Sequence, residues 1–161
     1  MVLLGPMIDE REAADFAKLY AKEAPRIWRT MLAFTGSHEV ASDVVAEAFA
    51  QCLRRGAGVR SPVLWLWKSA YRIAAGELRH RRSTIGSIVD VPTEQEIPDV
   101  DLMLALDKLS SRQRIAIILH YYAGYSTPEI ARIIGVAVPT VRVHLMQGRR
   151  RLRETLGGFD D

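Results

Sequence analysis

The stretch Thr140–Arg153, TVRVHLMQGRRRLR, carries five arginines and His144 with no acidic residue to balance them. Guanidinium groups at this density suit phosphate oxygens, and polar side chains one turn earlier on the same helix suit base edges. A second group, Trp67, Lys68, Tyr71, Arg72 and Arg79 with neighbouring Trp65, interleaves rings with cations. Those are the two side-chain types needed to stack unpaired bases and to neutralise a backbone. Rings at helical spacing also serve as core; that is the role expected of Trp65, and for Trp67 and Tyr71 both roles stay open. No covalent chemistry is indicated, because the chain has no phosphate-cradling glycine loop and no triad arrangement. The single Cys52 cannot form an internal disulfide, and His38, His80, His120 and His144 lie too far apart for a local metal clip. A binding protein without metal or cofactor, and not an enzyme, is expected.

The elements that would position these groups are helical. Apolar residues at Ala13, Phe16, Ala17, Tyr20, Ala24, Ile27, Met31 and Phe34 recur at threes and fours, which marks one face of a helix. Pro25 is expected to kink or split it. Gly36 then suits a C-terminal cap and Ser37 an N-cap, opening a helix to about Leu53 whose inward set is Val40, Val44, Val45, Ala48, Phe49 and Leu53. Ser61-Pro62 opens a third helix to about Arg82. Beyond residue 99, Val100 to Leu109, Ser111 to Ala123, Ser126 to Ile134 and Val138 to Leu156 read as four more. No segment alternates as a strand does. The fold class expected is all-α: two small helical domains, 8–82 and 100–158, joined by a flexible acidic linker over 83–99.

Ser126-Thr127-Pro128-Glu129 fits a capping box, Gly135 a left-handed stop, and Pro139 the first turn of a following helix. Together they predict a helix-turn-helix. On its second helix Val141, Leu145, Gly148 and Leu152 fall inward by spacing. Thr140, Arg142, Val143, His144, Met146 and Gln147 then project outward toward bases, with Arg149, Arg150, Arg151 and Arg153 toward phosphates.

Charge is segregated more than its total suggests. The formal net charge is +3 and the isoelectric point about 9.2, yet Ser83–Asp107 holds six acidic residues and no Lys or Arg. Such a strip either avoids a polyanion or meets something basic. The N-terminus has no basic leader, and no segment approaches the roughly 20 apolar residues that span a bilayer. A cytoplasmic protein with no membrane insertion is expected.

From Phe16 to Leu156 the chain resembles the extracytoplasmic-function group of bacterial sigma factors. The most specific part is LSSRQRIAIILHYYAGYSTPEIARIIGVAVPTVRVHLMQGRRRLRETL, similar to that group's reader of the promoter -35 element. In the first half, Ala41–Phe49 is similar to the family's AEDLVQEAF segment. Trp65-Leu66, Ala70 and Leu78-Arg79 resemble the frame of the helix that binds and opens the -10 element. The resemblance implies core RNA polymerase and promoter DNA as partners, and an anti-sigma factor as a regulator. It implies polymerase contacts at Asp43, Ala46, Glu47 and Phe49, melting contacts at Trp67, Lys68, Tyr71, Arg72 and Arg79, and -35 contacts at Thr140, Arg142, Val143, His144, Met146, Gln147, Arg149 and Arg150. For the acidic linker it implies a path toward the polymerase cleft, against the alternative of an ordinary solvated tether. Ala46 stands where the family usually has glutamine, and Arg72 and Gly76 stand where it commonly has asparagine and a polar residue. Two other readings fit the sequence: a helix-turn-helix regulator that acts without polymerase, and a degenerate sigma-like adapter that binds polymerase but does not melt promoters.

Overall fold

The computed structural model describes residues 9–84 and 100–157. Every regular element among them is helical, in agreement with the all-α expectation. Helix α1 spans Glu10–Thr35, with the Asp9 carboxylate accepting from the Arg11 amide at its start. It stops at Gly36, whose φ of 71° is left-handed and whose N–H donates to the Leu32 carbonyl. Pro25 does not split it. The ring sits on the exposed side, as does Ala21 one turn earlier, so water can serve the carbonyl that Pro25 leaves without a donor.

Ser37 caps α2 (His38–Arg55) by accepting from the Val40 amide. A short 3-10 turn, Gly56–Gly58, leads to α3. This helix runs Pro62–Thr84, beyond the boundary expected at Arg82. The three helices close on Ile27, Met31, Phe34, Val44, Ala48, Leu66, Trp67 and Ala70, all buried. The linker expected over 83–99 therefore begins inside α3, and its residues 85–99 lie outside the described residues.

The second half comprises α4 (Val100–Asp107), α5 (Ser111–Ile117), α6 (Thr127–Ile134) and α7 (Val138–Leu156). Ser110 and Gln113 form a reciprocal capping box at the start of α5. The helix then widens into a π turn, Ile118–Tyr122. Its core is Ile115, Leu119, Ile130, Val141 and Leu145.

The two halves lie against each other. Helices α1 and α3 pack on α5, the π turn and α6, and one apolar cluster runs through both halves. Two arginines tie this seam in opposite directions. Arg26 of α1 donates from Nη2 to the Ala123 carbonyl at 3.0 Å, and Arg114 of α5 donates from Nη1 to the Phe34 carbonyl at 2.9 Å.

Candidate nucleic-acid and partner interfaces

The helix-turn-helix is built as its residue types dictate. The Ser126 side chain accepts from the Glu129 amide, and the Glu129 carboxylate accepts from the Ser126 amide, so the start of α6 is satisfied reciprocally. Gly135, at φ 72°, donates to the Ala131 carbonyl and ends the helix. Ala137 then precedes α7 without a side-chain cap, and Pro139 occupies its first turn. Val141, Leu145 and Gly148 are buried, with Leu152 half-buried. Gly148 lies where α7 crosses α5: a Cβ there would meet Ile117 Cγ1 at 2.7 Å. Only hydrogen at this position allows so close a crossing.

The opposite face of α7 is open. Arg142, Val143, Met146, Gln147, Arg149, Arg150, Arg151 and Arg153 are exposed, and Thr140 is half-buried. Gln147 accepts from Gln113 Nε2, and Arg149 donates to the Tyr121 hydroxyl, so both are oriented by the α5 side. Arg150 pairs with Glu154 at 3.6 Å in full solvent, a contact too hydrated to hold it away from a phosphate. His144 departs from the sequence expectation. It is half-buried, both ring nitrogens are enclosed without a partner, and desolvation followed by the charge of Arg112 pushes its pKa below the ordinary value. Spacing put His144 outward. It instead lies on the flank of the apolar stripe, turned toward Arg112 of α5, and is not presented for base contact.

On α3 the two tryptophans separate: Trp67, for which both roles stood open, is core, and Trp65, expected as core, packs against it only in part. Trp67 is fully buried. Its indole N–H donates to the Glu23 carboxylate at 3.1 Å, and its ring meets Tyr125 edge-on at 5.0 Å. Trp65 is half-buried and lines an open cleft of about 410 Å³ with Gln51, Arg54, Arg55, Lys68, Ser69 and Arg72. Arg55 lies over its ring, 5.9 Å from the centroid. Residues two apart on a helix point to nearly opposite sides, so both rings could not serve one surface. Tyr71 is half-buried, tilted against Phe34 at 5.9 Å, and burial raises its pKa against the opposing charges of Arg112 and Arg79. Lys68, Arg72 and Arg79 are exposed.

Asp43, Ala46 and Glu47 share an exposed face of α2, where Glu47 accepts from Gln51 at 2.8 Å and Arg54 at 3.2 Å. Phe49 does not belong to that face. It is buried, with Tyr20 at 4.9 Å and Phe16 at 6.0 Å in edge-on contacts, and it shapes α2 from beneath.

Sequence reading missed the seam. Glu23 is buried, pairs with Arg26 at 3.2 Å and receives the Trp67 indole. Arg26 stands 5.6 Å from the ring centroids of both Trp67 and Tyr125. Tyr125 is held in place by its own carbonyl, which accepts from His120 Nδ1 at 3.0 Å; a carbonyl only accepts, which fixes the proton on Nδ1. Burial raises the Tyr125 pKa, partly offset by Arg26. The available signals were Glu23 four residues before Ile27, on the apolar face, and Arg114 directly before the run Ile115-Ala116-Ile117.

Among the described residues no cluster of three or more His, Cys, Asp or Glu could hold a metal, and no helix is long and apolar enough to cross a membrane. A capped helix, a left-handed glycine turn and an open basic helix define a helix-turn-helix DNA-binding protein. Comparison with known proteins narrows this class. Residues 99–152 match the family described as Sigma-70, region 4. The chain is 35% identical to the ECF RNA polymerase sigma factor SigL of Mycobacterium tuberculosis (strain ATCC 25618 / H37Rv), covering 90% of each. It is 29% identical to the RNA polymerase sigma factor CarQ of Myxococcus xanthus, covering 90% of this chain and 91% of that one. The same fold occurs in the sigma factor RpoE in complex with the anti-sigma factor NepR from Bartonella quintana. The TM-score is 0.77 at 22% identity, over 91% of this chain and 99% of RpoE. It occurs also in CnrH in complex with the cytosolic domain of CnrY, with a TM-score of 0.74 at 21% identity over 92% and 91% of the two chains. The chain belongs to the ECF group of RNA polymerase sigma factors.

Proposed function

We propose that the chain binds core RNA polymerase and directs it to promoters by reading the -35 element with α7 and engaging the -10 element with α3. The observation that carries this is the open arginine face of α7 behind a satisfied cap at Ser126 and a left-handed Gly135. Arg142, Val143, Met146 and Gln147 meet base edges, with Thr140 at the rim; Arg149 and Arg150 hold phosphates. The cleft formed by Trp65, Lys68 and Arg72 takes the separated strand, its ring offering a stacking face and its cations a backbone track. Arg79 extends that track along α3.

The exposed acids Asp43 and Glu47, with Ala46 between them, form the polymerase-docking face, supported from beneath by Phe49. An anti-sigma factor is the proposed regulator. The protein acts by binding, in the cytoplasm, with no covalent step of its own, and residues 8–82 and 100–158 are its two working units. The test is co-purification with core polymerase followed by run-off transcription on genomic fragments. Discrete start sites that depend on the chain are expected; no binding to core at low-micromolar concentration would sink the reading.

A further inference from the structure

The side-chain amide of Gln147 on α7 is set by a chain of hydrogen bonds that starts at the cap of α5. The Ser110 backbone N–H donates to Gln113 Oε1 at 3.2 Å, and the Gln113 backbone N–H donates to Ser110 Oγ at 3.2 Å. A backbone N–H only donates, so the capping box decides which end of the Gln113 side chain is oxygen. Its Nε2 is therefore the end turned away from the cap, and it donates to Gln147 Oε1 at 3.2 Å. The same logic carries one step further. With Oε1 of Gln147 held by Gln113, the free end of the Gln147 amide is Nε2, a donor only.

The close crossing of α5 and α7 makes this reach possible. Gly148 is buried at the contact, and the Gln113 carbonyl lies 3.6 Å from where a Cβ at that glycine would stand. Gln113 is half-buried and Gln147 exposed, so the pair sits at the edge of the crossing with its free end toward solvent. The sequence elements that orient this end are Ser110, Gln113 and Gly148, none of which faces the groove itself.

We propose that Gln113 is a positioning residue for base choice. Through Gln147 it presents a hydrogen-bond donor to the major groove and selects a keto base, guanine or thymine, over an amino base, cytosine or adenine, at one position of the -35 element. This rests on the promoter-directed reading above. Guanine offers O6 and N7 and thymine O4, all acceptors, whereas cytosine offers the N4 donor. Glutamine commonly grips adenine, because N6 and N7 match the two ends of an amide side by side. Here Oε1 is turned to α5, so that two-point grip is lost and adenine N6 faces a second donor. One neutral hydrogen bond of this kind separates the two base classes by roughly three- to tenfold.

The test uses holoenzyme reconstituted from core polymerase and the full chain. Its probe is a duplex library in which the -35 element of a promoter recovered by run-off transcription is randomised, with bound and input DNA sequenced. One base pair is expected to favour the orientations that place G or T on the strand Gln147 faces, and Gln147→Ala should flatten that position alone. In the favoured G·C pair, 2-aminopurine, which is guanine without the O6 acceptor, should bind roughly three- to tenfold more weakly. The decisive variant is Gln113→Glu. A carboxylate still accepts from the Ser110 N–H, so the cap and the thermal midpoint of the free chain are kept. It offers α7 an acceptor, however, so Gln147 must turn Nε2 inward and Oε1 to the groove. The preference at that one pair should then invert toward A or C, whereas a role in capping alone would leave it unchanged. A preference that survives Gln113→Glu, equal binding of the 2-aminopurine duplex, or a Gln147→Ala holoenzyme with the wild-type profile would each overturn the relay. In those cases selection at the other -35 positions would show that the promoter-directed reading stands. A library bound with no selection at all is the failure of that reading itself, and the relay falls with it.

Discussion

The two surfaces proposed to meet DNA are prepared differently. On α7 the reading side is open to solvent, with Val143 44% and Met146 56% exposed and the arginines around them, so it can meet a duplex without rearrangement. On α3 the cations stand open while Trp67 is wholly covered and Tyr71 half covered. Helix α7 packs on α4, α5 and α6 through the stripe Val141, Leu145 and Gly148 and leaves its opposite face exposed. Helix α3 is gripped on two sides, by α1 and α2 within its own half and by α6 across the seam, and its large rings go where packing is tightest. Duplex reading therefore comes ready-made, whereas on α3 only the half-buried Trp65 and the cations beside it are open to a single strand.

The largest effect expected from breaking this contrast is at Trp67. Replacing it with alanine removes the biggest buried side chain and leaves the Glu23 carboxylate short of a donor. A loss of about 3–5 kcal/mol is expected by urea unfolding. Arg142→Ala on the open face should change stability by no more than about 0.5 kcal/mol, while it weakens binding to a promoter -35 fragment. A neutral Trp67→Ala would mean that the ring is not sealed, and the contrast between the surfaces would collapse.

Next in size is the close crossing beneath the open face. Gly148→Val forces a side chain into Ile117, where even a Cβ would sit at 2.7 Å, and should cost about 1–3 kcal/mol. The side chain that must give way belongs to Ile117, so Ile117→Ala should recover part of that loss in a double-mutant cycle. Strict additivity would show that α7 is not positioned by this contact. A smaller loss, about 1 kcal/mol, is expected for Ser126→Ala, which removes the cap of α6. Thermal unfolding measures it, and Ser126→Thr, whose hydroxyl can still accept from the Glu129 amide and donate to the Glu129 carboxylate, should restore most of it.

Local chemistry made much of this legible in the sequence. Ser37, Ser126, Gly36 and Gly135 act within a few residues of themselves, and each does at its helix end what its type predicts. The apolar spacing of α7 placed Val141, Leu145 and Gly148 inward for the same reason. What escaped reading depends on partners far along the chain. Arg26 meets Ala123 across 97 residues and Arg114 meets Phe34 across 80, and no periodicity within one helix encodes such a meeting. The choice between Trp65 and Trp67 was equally invisible: helical geometry says that they oppose each other, but only the arrival of α6 and Tyr125 decides which is covered. Phe49 followed the helical pattern as part of the inward set of α2, and it is the family frame that placed it among polymerase contacts.

His144 gives the smallest effect and tests where the open face ends. Its pKa in the folded protein lies below the ordinary 6.5, through desolvation and the nearby Arg112, so folding favours the neutral ring. The unfolded chain then binds more protons than the folded one between the folded value and 6.5, and stability must rise with pH across that window. The stabilisation is complete above pH 6.5 and is lost as the pH falls through the folded value. Urea midpoints measured from pH 7.5 downward should fall more steeply for the wild type than for His144→Leu, which cannot take up the proton. Should the two proteins track each other, His144 is as solvated as its exposed neighbours, and the reading surface of α7 is one residue wider than its packing against α5 implies.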